Sequence, residues 1–179
     1  TLIACAKHYA AYGAAQAGRD YHSVDISERV LRETYLPPFM AAQKAGVRTF
    51  MTSFNELFGV PASGSRFLLT DVLRDEWGFD GFVVTDYTSI NEMVYHGIVA
   101  NDKDAAELSL NAGVDMDMQG ATYYNYLLQL VREGRISVTR VNESVRRILR
   151  IKFELGLFDD PYRYSDTESY NRDNLPFRQ

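Results

Sequence analysis

Four short apolar runs constrain this chain most: Leu2–Ala6, Val47–Thr52, Gly81–Thr85 and Val114–Met118. Helical patterns lie between and after them. The order reads strand, helix, strand, helix, strand, helix, strand, helix, helix. The runs recur about every 30 to 45 residues, which suits one βα unit each with some loop insertion. Such alternation predicts a parallel sheet covered by helices, an α/β fold. The run Gly81-Phe-Val-Val-Thr85 carries no polar alternation, as a parallel strand buried on both faces should, and Asp86 closes it.

The helical segments carry their own punctuation. Asp25 or Ser27 can cap a first helix, with Val30, Leu31, Thr34 and Tyr35 following at helical spacing. Pro37-Pro38 fits the first turn of a second segment, which Lys44-Ala45-Gly46 ends. Further helices are expected over Ser65–Trp77, Ala105–Ala112, Tyr123–Glu133 and Val138–Leu155, the last capped by Ser137 or Thr139. After Tyr162 the chain turns polar and loses periodicity. Residues 1–160 are therefore expected to form one folded unit. Residues 161–179 read as a linker toward another domain.

Composition narrows the function. The 179 residues are 46% hydrophobic and 24% charged, with a formal net charge of −5. That is an ordinary globular composition. It provides neither the basic footprint of a nucleic-acid binder nor a polybasic membrane patch. No apolar run reaches membrane-span length and no signal-peptide pattern opens the chain. Thr1 stands at the start of a strand with no lead-in, which suggests a fragment or a piece whose preceding half is missing. The single Cys5, set in an apolar run, reads as an inert buried thiol.

Parallel α/β folds bind ligands at the carboxyl ends of their strands. Here those ends carry Lys7-His8, then Met51-Thr-Ser-Phe-Asn-Glu56, then Asp86-Tyr87, then Asp115-Met-Asp-Met118. Charged groups can bond sugar hydroxyls, and aromatic rings can stack on sugar faces. There is no G-x-G-x-x-G or G-x-x-x-x-G-K-[ST] loop for a nucleotide and no His-x-x-x-His or Cys-x-x-Cys metal spacing. Asp115 and Asp117 share a strand face and could bind a cation, but two carboxylates alone are weak support. No metal or cofactor is expected.

Read in order, several stretches resemble glycoside hydrolase family 3, in the branch that contains bacterial periplasmic β-glucosidases. They are Ala6-Lys-His-Tyr-Ala-Ala-Tyr-Gly13, Arg29-Val-Leu-Arg-Glu-Thr-Tyr-Leu-Pro-Pro-Phe39 and Met51-Thr-Ser-Phe-Asn55. Leu69-Thr-Asp-Val-Leu-Arg-Asp-Glu-Trp-Gly-Phe79, Gly81-Phe-Val-Val-Thr-Asp-Tyr87 and Gly156-Leu-Phe-Asp-Asp-Pro161 continue the series. The resemblance implies a TIM-type (β/α)8 barrel of which this chain supplies roughly the second half. It implies a retaining, exo-acting β-glucosidase, periplasmic or secreted. It places the catalytic nucleophile at Asp86, sugar-hydroxyl ligands at Lys7 and His8, a sugar contact at Met51 and a subsite aromatic at Tyr87. Arg19 lies within one residue of a position where many relatives carry a basic sugar ligand.

Three positions depart from the family pattern. Phe54 stands where many relatives carry a Tyr, so a hydroxyl donor is missing. Phe58-Gly59 replaces a common Asn-Gly. Ala10-Ala11-Tyr12 replaces the Pro-Gly-His of the N-acetylglucosaminidase branch, which argues against an N-acetylhexosaminide substrate.

Retaining glycosidases need two carboxyls about 5 Å apart, one to attack C1 and one to act as acid and then base. The resemblance puts the acid/base, a Glu, in a sandwich domain after the barrel, outside this chain. Glu56, Glu92 and Glu107 are the local alternatives. Lys7 and His8 are adjacent, and adjacent side chains of a regular strand point to opposite faces. For both to reach one sugar the backbone must break regular geometry there, a cis peptide bond being one way.

The plainer readings are explicit. Asp86 could cap the next helix, Lys7 and His8 could be an exposed pair, and Met51 and Phe54 could be barrel filling. His22 and His96 read as loop or surface residues, and Tyr123, Tyr124 and Tyr126 as packing on an outer helix or facing solvent. Glu133, Arg135, Arg140 and Arg146–Arg147 read as a solvated helix face. The rival functions are another exo-glycosidase such as a β-xylosidase and a non-catalytic sugar-binding half-barrel.

Overall fold

The computed structural model describes residues 3–163 and 165. The linker expected over 161–179 lies outside them, save residues 161–163 and 165. Three parallel strands form the sheet in chain order: β1 (Cys5–Tyr9), β2 (Thr49–Thr52) and β5 (Phe82–Val84). Cys5 pairs with Thr49, and Thr49 in turn with Phe82. A small antiparallel hairpin, β3 (Glu56–Leu57) with β4 (Val60–Pro61), follows the end of β2. The α/β architecture read from the alternation is present.

Two strand expectations need correction. The first strand runs later than Leu2–Ala6 and includes Lys7 and His8. The register of β1 on β2 shifts between Ala6 and Tyr9, and the Lys7–His8 and Tyr9–Ala10 peptide bonds are cis. Regular geometry thus breaks where two adjacent ligands would require it. The Val114–Met118 run is no full strand. It touches β5 through one bridge, Val84 with Met116, because its ladder stops there: Asp115 and Met116 N–H both donate to Val83 O, and Thr85 N–H to Met116 O.

The helices follow their caps closely. Ser27 Oγ accepts from Val30 N at the start of α1 (Glu28–Val30), which runs into a π-wound turn over Leu31–Tyr35. Pro37 opens α2 (Pro37–Lys44). The helix expected over Ser65–Trp77 spans Phe67–Glu76 and is also π-wound, with Trp77 N–H reaching back to Val72 O. Then come α3 (Ser89–Tyr95), α4 (Asp102–Ala112), α5 (Thr122–Arg132) and α6 (Val138–Glu154), with Ser137 Oγ capping α6. Helix α3 and the β3–β4 hairpin were not legible in the sequence, since both are short and their partners are distant.

The core lies between sheet and helices. Phe50 is fully buried there with Leu68, Leu69, Val72 and Leu73. Period-two alternation sends its neighbour Met51 to the opposite face. Tyr9 packs edge-on against Phe50, with centroids 5.5 Å apart, and its hydroxyl donates to Leu68 O at 3.1 Å. Each such aromatic pair adds about 0.5–1.5 kcal/mol beyond burial. On the opposite face Ile3, Thr49, Phe82 and Met116 line a cavity of about 410 Å³, closed from one side by Ile148, Ile151 and Leu155. Cys5, expected buried, is exposed on β1, the outer strand of the sheet.

The Asp115 carboxylate joins the layers. Its side chain is fully buried. Oδ2 accepts from Arg74 at 2.6 Å and from Val83 N at 3.0 Å, and Oδ1 accepts from Ser144 Oγ at 2.7 Å and Arg147 at 2.8 Å. Arg140 lies 3.7 Å away. Arg140 and Arg147, read as a solvated face, are therefore inner residues of α6. Burial is the largest influence on Arg74 and pushes its pKa down to about 10, with Asp115 opposing that. At neutral pH the guanidinium stays charged.

Removing one partner of a buried ion cluster leaves the rest uncompensated. Asp115→Ala should cost about 3–5 kcal/mol in urea unfolding. Arg29→Ala breaks the exposed Arg29–Glu33 pair at 2.9 Å and should cost under about 0.5 kcal/mol. Equal losses for the two would refute the hub. Gly81 is a second sensitive point, since an added Cβ would lie 2.1 Å from Arg48 O. Gly81→Ala should cost about 1–3 kcal/mol in the same measurement.

Candidate active site

The carboxyl ends of β1, β2 and β5 meet at one rim, and hydrogen bonds fix their order. Ser53 N–H donates to Tyr9 O at 2.9 Å, and Ser53 Oγ and Asn55 Nδ2 both donate to Ala10 O at 3.3 Å. The end of β2 thus holds the segment after His8. Buried hydroxyls continue the scaffold: Thr52 Oγ1 lies 2.7 Å from Ser63 Oγ, which lies 2.7 Å from Ser89 Oγ at the start of α3. Thr85, fully buried, accepts from Met118 N at 2.8 Å, and Thr88 N–H donates to Met118 O at 2.9 Å. The turn carrying Asp86 is bracketed on both sides.

Asp86 is not consumed by that scaffold. Its Oδ2 lies 3.3 Å from His8 Nε2, with 15% of its side chain and 31% of His8 exposed. Its Oδ1 accepts from the next backbone amide, Tyr87 N, at 2.7 Å. Helix α3 begins after Thr88, which has φ 57 and makes no side-chain cap. The helix-capping alternative for Asp86 therefore fails.

The other expected site residues are distributed unevenly. His8 is in contact with Asp86. Lys7, on the same strand end, is exposed, and its side chain makes no hydrogen bond or ion pair among the described residues. Met51 is half-buried beside Val84 in the register, two residues before Asp86. Tyr87 is 57% exposed and open to solvent. Arg19 makes no hydrogen bond or ion pair with Asp86 among the described residues. It lines a cavity of about 290 Å³ with Tyr12, Gly13, Ala15, Gly18 and Asp20.

Tyr12, Asp20 and Tyr21, which the sequence does not mark as site residues, complete the rim together with Phe54. The Tyr12 ring sits 5.4 Å from the His8 ring, centroid to centroid, and its hydroxyl donates to Asp20. Phe54 lies 6.2 Å from Tyr12 and 4.6 Å from Tyr21, so it packs with rings rather than filling a barrel interior. Burial, the Asp20 hydrogen bond and the Asp86 charge together raise the Tyr12 phenol, which stays protonated at neutral pH. The Ala-Ala-Tyr and Arg-Asp-Tyr stretches were the available signal, but loop spacing gave no hint of ring contact.

The local acid alternatives are mostly engaged. Glu56 accepts from Ser23 and faces His96 Nδ1 at 3.7 Å, so His96 is a half-buried partner rather than a surface residue. Glu107 is paired with Arg135 on the outer helices. Asp115 and Asp117 do not pair up on a cation: Asp115 is saturated by its arginines, and Asp117 Oδ2 accepts from Thr122 N and Oγ1 at 2.7 and 2.9 Å. Tyr123, instead of facing solvent, brings its hydroxyl within 3.2 Å of Ser109 Oγ and 3.3 Å of Val114 O.

Known proteins share this sequence pattern and fold. Residues 1–151 match the glycosyl hydrolase family 3 N terminal domain. A periplasmic β-glucosidase of Salmonella typhimurium is 41% identical over 164 residues, covering 92% of this chain and 21% of that protein. A β-xylosidase of Formosa agariphila is 41% identical over 177 residues, covering 94% of this chain and 24% of its own length. The crystal structure of a β-glucosidase from Listeria innocua superposes with a TM-score of 0.93 at 43% identity, covering 97% of this chain and 24% of that one. The chain thus spans about a fifth to a quarter of the length of these relatives. The sheet, with its helices, is a partial β/α barrel, and the chain belongs to glycosyl hydrolase family 3.

Proposed function

We propose that this chain carries the nucleophile half of a retaining, exo-acting β-glucosidase, with Asp86 attacking C1 of a terminal β-D-glucosyl residue. The observation that carries the reading is the Asp86 carboxylate itself. It stands at the strand-end rim beside His8, with no helix amides on it. A rigid, partly exposed carboxylate with acceptor capacity left is what an in-line attack requires.

In this reading a Glu outside these residues protonates the departing oxygen, and the sugar is passed to Asp86 as a covalent ester. The same Glu then takes a proton from water, which attacks C1 and releases Asp86. His8 and Lys7 bond the sugar hydroxyls, Met51 lies under the ring, and Tyr87 and Arg19 serve the neighbouring subsite. Residues 1–160 form the second half of the barrel, and 161–179 lead toward the domain that holds the acid/base. Likeness to a periplasmic relative supports a periplasmic or secreted site of action.

Likeness to a β-xylosidase at the same identity supports a second substrate. The two sugars differ by the hydroxymethyl group at C5, and a pocket distinguishes such a group by about 1–3 kcal/mol. Paired kcat/KM values on 4-nitrophenyl β-glucoside and β-xyloside should favour the glucoside by at least about tenfold. The reverse ratio would make the protein a xylosidase.

A 2-fluoro-glucoside inactivator should label the full-length protein at Asp86, identified by peptide mass. Asp86→Ala should lower turnover by about 10⁴-fold or more while retaining sugar binding. Turnover surviving in that variant, or label on another residue, would sink the assignment. The chain of these 179 residues alone should show no hydrolysis above background. Thr85→Val removes the acceptor of Met118 N and leaves that partly buried amide unpaired, a loss of about 1 kcal/mol. Its expected signature is a lower kcat with little change in KM.

A further inference from the structure

We infer that Tyr12 and Asp20 are positioning residues that hold the His8 imidazole against Asp86. This rests on the proposed role of Asp86 and extends it to two further residues of the loop that carries Arg19.

His8 needs such a support. Nε2 faces Asp86 at 3.3 Å, but Nδ1 makes no hydrogen bond among the described residues. An imidazole is ordinarily fixed by the bond its second nitrogen makes. Here the second restraint is a ring. Tyr12 lies against His8 at 5.4 Å with a tilt of 55°. A tilted ring at that distance limits rotation about the Cβ–Cγ bond without competing for a proton.

Tyr12 is itself fixed at two points. Its hydroxyl donates to Asp20, and Asp20 Oδ1 also accepts from Tyr21 N at 2.9 Å. Phe54 sits against both Tyr12 and Tyr21. The contacts therefore close a circuit: Tyr12 to Asp20, Asp20 to Tyr21, Tyr21 to Phe54, and Phe54 back to Tyr12. Backbone bonds hold the loop in that shape, with Ala14 N–H on Ala11 O and Gln16 N–H on Ser23 O. The Tyr12 phenol stays a donor at working pH, so the Asp20 bond is not lost by ionisation. Phe54 gains a purpose here: a ring without a hydroxyl packs in this circuit with no polar atom to satisfy.

A support for His8 should act in every step that uses His8, whatever the leaving group. A contact to the leaving group acts only in the first step. Reactivation of the 2-fluoro-glucosyl intermediate separates these, because the leaving group has already departed. The experiment uses full-length protein with Tyr12→Ala, Tyr12→Phe, Asp20→Asn and His8→Ala singly, and with each Tyr12 and Asp20 variant combined with His8→Ala. Tyr12→Ala should lower kcat and slow reactivation by about tenfold or more, but add less than about threefold in the His8→Ala background. Tyr12→Phe and Asp20→Asn, which keep the packing, should lose less than Tyr12→Ala, in the same background-dependent way.

Equal losses in both backgrounds would overturn the inference. So would a rise in KM alone with normal reactivation. Should Tyr12→Ala fail to fold, Asp20→Asn in the two His8 backgrounds decides by the same criterion. If the wild-type protein is never labelled at Asp86, the nucleophile assignment has failed instead. If labelling is normal and the losses are independent of His8, only the clamp has failed.

Discussion

Asp115 is the interaction on which the rest of the wall depends. It sits where a π-wound helix, β5 and α6 come together, and it bonds to all three. Isolated burial of a carboxylate would cost several kcal/mol, and only complete pairing makes it tolerable. Pairing with Arg74 and Arg147 fixes the spacing of the two helices against the sheet. The residues just beyond it, Met116 and Met118, bond to Thr85 and Thr88 around Asp86. The position of the site therefore follows from an ion cluster whose central carboxylate never meets solvent.

Local rules made the helices legible. Ser27, Pro37, Ser137 and Gly78 stand where caps and stops should stand, and the structure ends or begins helices there within a few residues. The strand ends were also legible, because an apolar run closed by Asp86 can hardly be anything else in a βα repeat. Contacts between distant residues were not. Arg74 and Arg147 lie 41 and 32 positions from Asp115, and charge spacing on α6 looks like an ordinary wet face. Nothing local separates an arginine that meets a buried carboxylate from one that meets water.

The same limit explains the rim. Asp86 and His8 were read together because family motifs join them across 78 positions, not because any periodicity does. Tyr12 and Asp20 are eight residues apart in an irregular loop, where neither the period of two nor that of 3.6 applies. Arg19, in the same loop, lines a cavity beside Tyr12 and makes no hydrogen bond or ion pair with Asp86 or His8 among the described residues. In a loop, one position changes the direction of a side chain, whereas in a strand it merely changes the face.

Hydrogen-bond saturation sorts the aspartates of this rim by what they can do. A carboxylate has about four acceptor sites. Asp115 fills them with Arg74, Val83 N, Ser144 and Arg147, so it is an anchor and cannot also attack. Asp117 spends Oδ2 on the start of α5, and its Oδ1, which no donor holds, is buried away from solvent. Asp86 has one backbone amide on Oδ1 and an imidazole 3.3 Å from Oδ2, and it keeps part of its surface open. A nucleophile must offer, on an exposed face, a lone pair that no donor already holds, and must do so without reorienting. Of these three carboxylates, only Asp86 meets both conditions, and the buried hydroxyls and amides behind it supply the rigidity that its own few bonds do not.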